Sequence, residues 1–166
     1  MALPFNPDEI FEMAIQIGGN GMRFYKRSAE AAGDNRSVRQ LLTFLAKKEE
    51  NHVSMLNEIR DKYFKQDEDD EFIDPEGRAT HYLKTMANSY VYDVRKDPAQ
   101  IMTGKESLQD VILLALNHTK ESLMFFLGMK QMVPEHLGRA HIDEIIRDKM
   151  EHVQFLTKEL RKVKKK

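Results

Sequence analysis

Lys47-Lys48-Glu49-Glu50-Asn51-His52-Val53 is the stretch whose reading decides the fold. It lies inside a stripe of Val38, Leu42, Leu45, Glu49, His52, Leu56, Ile59 and Tyr63, spaced alternately by four and three residues, which places them all on one helix face. Two ionisable groups therefore stand where the pattern wants leucine. A carboxylate buried without a partner is strongly destabilising, so Glu49 and His52 must meet a metal ion, an opposite charge or a hydrogen-bond network inside a bundle.

Around this stretch the bulk properties narrow the field. A chain of 166 residues suffices for one domain with a sizeable core, spanning 1–166. Its 32% charged residues nearly cancel to a net charge of -1, which gives no strongly basic face for nucleic acid. The basic tail Arg161-Lys162-Val163-Lys164-Lys165-Lys166 is what the macrodipole favours at a helix C-terminus. With no cysteine, disulfides, thiolate iron sites and cysteine nucleophiles are excluded. No signal peptide is visible and no apolar run approaches the roughly 18 residues of a spanning helix, so a soluble cytoplasmic protein without membrane partners is expected.

Outward along the chain, the first helix is predicted from the cap Asn6 and Pro7 to about Ala32, with Phe11, Ala14, Gly18, Gly21, Tyr25, Ser28 and Ala32 facing inward. Internal glycine costs about 0.8 to 1 kcal/mol relative to alanine, so Gly18, Gly19 and Gly21 imply close approach to a neighbouring helix. The short link Gly33-Asp34-Asn35-Arg36 leads to a second helix capped by Ser37 or Asn35 and ending near Phe64 or Lys65, an antiparallel hairpin. Residues 66–106 read as a crossover: an acidic run from Gln66 to Glu71, without the glycine and spacing of a calcium loop, then a shorter helix between Pro75 and Tyr90. The third long helix opens at Ser107, with Asp110 at capping-box spacing, and runs to about Met132. Its stripe is Leu108, Ile112, Ala115, Thr119, Ser122, Phe126 and Met129. The fourth, from Gly138 or Arg139 to Lys162, carries Ile142, Ile145, Lys149, His152, Leu156 and Val163.

The second half echoes the first. Phe24-Tyr25 precedes His52 much as Phe125-Phe126 precedes His152, and Lys48-Glu49-Glu50-Asn51-His52-Val53 aligns with Asp148-Lys149-Met150-Glu151-His152-Val153. Two helical hairpins joined by a long crossover make an all-α four-helix bundle, with pseudo-twofold symmetry bringing the polar centres of the second and fourth long helices together.

In Ala14 to Tyr25, the Glu49-x-x-His52 motif, Ala115 to Phe126 and the Lys149-x-x-His152 echo, nearly the whole chain resembles the rubrerythrin branch of the ferritin-like superfamily. The resemblance implies a bundle holding two irons, with one Glu from each of the first and third long helices and a Glu-x-x-His from each of the others. It also implies a homodimer, for which Phe64, Phe72, Tyr90 and Tyr92 supply apolar positions, and Tyr25 as a hydrogen-bond donor behind the metal.

The departures shape the functional expectation. The implied Glu positions are occupied by Gly18, Thr119 and Lys149, and a further carboxylate position by Ser122; only Glu49, His52 and His152 remain of the ligand set. No rubredoxin module accompanies the bundle, since it needs cysteines. In the favoured reading Lys149 takes the metal's place as a fixed cation paired with Glu49 and flanked by both histidines, which leaves a degenerate di-iron site in a non-catalytic binding or structural protein. In the alternative, Glu49, His52 and His152 form a two-histidine, one-carboxylate triad for mononuclear iron or zinc, with Asp148 as a further ligand if it is not rotated off the seam. Oxidoreductase or peroxidase activity would require that metal. His118, placed about 100° around its helix from Thr119, is expected at the surface or in a capping role, as are His81, His136 and His141. The ten methionines, scattered at helical spacing, read as core filler.

Overall fold

The computed structural model describes residues 7–63, 76–87 and 102–165. Helix α1, Pro7–Ala31, is followed by α2, Arg36–Tyr63, across a turn in which Asn35 Oδ1 accepts the Val38 N–H at 3.0 Å. Asn35, not Ser37, is therefore the cap. Helix α3, Arg78–Ala87, lies within the predicted crossover, and α4, Leu108–Lys130, opens on the expected capping box of Ser107 and Asp110. A 3-10 turn at Glu135–Leu137 and Gly138, whose φ of +100° suits a residue without a Cβ, reverse the chain into α5, Arg139–Lys164. The acidic run 66–71 and Phe64, Phe72, Tyr90 and Tyr92 lie outside the described residues.

Two apolar clusters fix the helix directions. One gathers Ile10, Phe11 and Ile17 at the start of α1, Leu56 and Ile59 late in α2, Phe126 and Met129 late in α4, and Ile142 and Ile145 early in α5. The other gathers the opposite ends: Phe24 and Ala29, Leu42 and Leu45, Val111 and Ile112, Leu156 and Leu160. Helices α1 and α5 thus run one way and α2 and α4 the other. The chain between α2 and α4 must travel the length of the bundle, which is why a crossover is needed. Bidentate Arg60 to Asp8, at 2.5 and 2.7 Å, pins the α1–α2 hairpin at one end, and Lys130 to Asp143, at 2.6 Å, pins α4 to α5.

Helix α4 is apolar on more than one side. Its inward stripe is buried, while Gly128 on another flank receives Tyr82 and Leu83 of α3, and the Tyr82 hydroxyl donates to the Met124 carbonyl at 3.0 Å. All the described residues are helical or in turns and connections, and no described helix is long and apolar enough to cross a membrane.

Candidate functional site

Between the two apolar clusters lies a layer of buried polar side chains: Glu49 and His52 from α2, His118, Thr119 and Ser122 from α4, and Lys149 and His152 from α5. The i, i+3 spacing of Glu49 with His52, and of Lys149 with His152, aims each pair at the same point, and antiparallel packing sets the two pairs face to face. Lys149 Nζ donates to Glu49 Oε1 at 2.6 Å, with the two side chains 0% and 1% exposed. The same ammonium stands 5.4 Å from the centre of the Phe126 ring, a further favourable contact for a cation.

His52 extends this pair toward the surface. Its Nδ1 lies 3.6 Å from Glu49 Oε2, and its Nε2 lies 2.9 Å from Asp148 Oδ2, which also accepts from Lys48 Nζ at 3.3 Å. Basic and acidic side chains alternate along the row Lys149, Glu49, His52, Asp148, Lys48, from the core to a partly exposed lysine. The ring of His152 stacks toward that of His52, with centroids 6.3 Å apart, and packs edge-on against half-exposed Phe44.

Electrostatics follow from this arrangement. Burial alone would raise the Glu49 pKa, but the Lys149 ammonium and His52 outweigh it and hold the carboxyl well below the usual range. Burial, reinforced by Lys149, pushes His152 down to about 3, and burial pushes His118 down to about 4, so both are neutral imidazoles at neutral pH. Burial raises Asp148, yet its bonds to His52 and Lys48 keep it lowered overall.

The positions that the resemblance makes vestigial lie at this layer. A Cβ on Gly18 would stand 2.7 Å from Val53 Cγ2 and 3.9 Å from Glu49 Oε2, so α2 fills the space a longer side chain there would need. Thr119 donates to the Ala115 carbonyl at 2.8 Å, which leaves the Tyr25 hydroxyl as donor to Thr119 Oγ1 at 2.5 Å. Ser122 turns back on its own helix, donating to the Thr119 carbonyl at 3.0 Å.

His118 corrects the sequence reading. Expected near the surface, it is 5% exposed, with its ring centre 5.3 Å from that of Phe24 and 5.5 Å from that of Tyr25. The reason is that α4 is flanked by apolar residues well beyond its seam, so a rotation of about 100° still leaves a side chain inside. His81, His136 and His141 are exposed as expected. Asp148, offered by the sequence as a further ligand if not rotated off the seam, is 19% exposed and bonds to His52 across the helix pair at 2.9 Å.

Gly21 explains part of the glycine cluster. A Cβ there would lie 2.8 Å from His118 Nε2 and 3.2 Å from Glu49 Cγ, whereas one on Gly19 would meet only Arg23 at 3.6 Å. Gly21→Ala is therefore expected to lose stability in urea, because overpacking of about 1 to 3 kcal/mol outweighs a helix-propensity gain of about 1 kcal/mol. Gly19→Ala, with no such clash, should gain up to about 1 kcal/mol.

Set against known proteins, this chain matches no protein-family model, no curated protein and no solved structure. Its chemistry is thus read from its own side chains. One carboxylate beside an ammonium does not fit a di-iron centre, which needs several carboxylates to offset and bridge two divalent ions. Among the described residues no group of three or more His, Asp or Glu side chains has metal-holding geometry.

Proposed function

We propose that this protein is a ferritin-like bundle of rubrerythrin type whose di-iron site has been replaced by the Lys149–Glu49 ion pair, and that it serves as a non-catalytic binding or structural protein. The observation that carries the reading is the 2.6 Å contact between two side chains with almost no solvent exposure, at the layer where the resemblance puts metal. An ammonium there supplies fixed positive charge and holds Glu49 ionised without a redox centre. The helix order, with α2 and α4 running the same way across a crossover, supports the fold half of the proposal. Pairing of two copies belongs to the same reading, and sedimentation of the purified chain tests it.

A second reading keeps mononuclear iron or zinc on Glu49, His52 and His152, which do not have metal-holding geometry as they stand and would have to draw together around the ion. It is favoured by three buried atoms that find no hydrogen-bond partner among the described residues: Glu49 Oε2, His52 Nδ1 and His152 Nδ1. Such a metal would have to displace the ammonium from Glu49, and bound it would act as a Lewis acid or redox centre.

Elemental analysis of protein purified without chelator separates the two. The ion-pair reading predicts far less than one metal per chain and no hydrogen peroxide turnover after incubation with Fe(II). Near-stoichiometric metal that disappears in His52→Ala would establish the second reading instead.

A further inference from the structure

Helices α1 and α2 frame an open groove of about 590 Å³ that shares no lining residue with the polar layer. That volume falls within the roughly 300 to 1,000 Å³ of small-molecule sites. Its apolar floor comes from Ala29 of α1 and Ala46 of α2, both nearly buried, whose short side chains leave the helix surfaces concave. Thr43 lines it too, with its hydroxyl spent on the Arg39 carbonyl at 2.8 Å.

The charges around the floor do not cancel. Lys47 pairs with Glu50 at 2.6 Å. Lys26 of α1 and Arg39 of α2 remain, and among the described residues neither stands within ion-pair distance of a carboxylate. Glu30 and Glu50, whose pKa Lys47 and Lys26 both lower, oppose the three cations on the lining, so the groove keeps one net positive charge from two different helices. A guanidinium and an ammonium around an apolar floor complement an anionic head on an apolar body.

We propose that this groove binds a small organic anion, its head held between Lys26 and Arg39 and its apolar body lying on Ala29 and Ala46. The site is independent of the buried ion pair, and its loss would leave that reading intact.

The probe is 1-anilinonaphthalene-8-sulfonate, an aryl sulfonate whose emission rises in apolar surroundings, titrated into the full chain. Saturation at one equivalent is expected, with binding weakened about tenfold by Lys26→Glu or Arg39→Glu and weakened further as salt is raised. Thr43→Leu, which fills the groove without touching its charge, should also weaken binding. Phe155→Ser, which removes an exposed apolar ring lying outside the groove, should leave it unchanged. Non-saturable binding, or binding lost with Phe155→Ser and kept in Arg39→Glu, overturns the proposal. A dimer that dissociates on Arg39→Glu would show a second copy covering the groove and overturn it equally.

Discussion

Replacing Lys149 with methionine is expected to destabilise the chain by about 3 to 5 kcal/mol. Methionine keeps most of the side chain's length and apolar volume, so the loss does not come from a cavity. It comes from Glu49, which at 1% exposure is left ionised without the ammonium that donates to it at 2.6 Å. Its other oxygen, Oε2, has no hydrogen-bond partner among the described residues, and His52 is 3.6 Å away. Glu49→Leu should be damaging for the mirror-image reason, because among the described residues the ammonium would keep only its contact with the Phe126 ring. Domains of this kind are stable by about 5 to 15 kcal/mol, so either change takes a large share of the total. The loss should show as a lower urea midpoint at an unchanged m-value.

Stability should fall as pH drops below about 6.5, where buried histidines begin to charge in the unfolded chain. His118 and His152 are held at about 4 and about 3 in the fold, against about 6.5 in an unfolded chain. Both folded values are depressed, so the unfolded state binds more protons between those limits. The stability they contribute is fully present above about pH 6.5 and is lost as pH falls toward their folded values. Each histidine adds up to about 1.4 kcal/mol per pH unit below about 6.5; Glu121, whose carboxyl burial pushes up to about 7, binds its proton first in the fold and offsets part of this loss over the same range. Glu49 acts in the same direction lower down, since its depressed folded pKa gives stability that is present above the ordinary carboxylate range and lost as pH falls below it. Urea denaturation between about pH 7.5 and 5 measures the slope. His118→Asn should remove about one proton's share of it, and a flat profile would show that these imidazoles are not buried in neutral form.

Much of this was legible in the sequence, for identifiable reasons. The stripe from Val38 to Ile59 follows helical periodicity, so Glu49 and His52 were placed in the core by their neighbours' spacing, and both are buried. The Lys149-x-x-His152 echo gave the facing pair because the internal repeat supplies the register between α2 and α5. The capping box at Ser107 is a local signal and was found at the expected position. His118 was misplaced because one helix's periodicity identifies its main seam and not how far its neighbours wrap around it. The bond from His52 to Asp148 depends on the distance between two helices separated by nearly a hundred residues, which no local pattern encodes. The choice of Asn35 over Ser37 as cap turned on where the first helical turn begins, since both side chains are good caps.

The most direct measurement is a double-mutant cycle on Lys149 and Glu49, with urea unfolding of the parent chain, Lys149→Met, Glu49→Leu and the variant carrying both changes. Each single change is predicted to lose about 3 to 5 kcal/mol, while the double variant, with an apolar pair in place of two charges, should lie close to the parent. Losses that simply add in the double variant would contradict the claim that this ammonium and this carboxylate hold each other in the core.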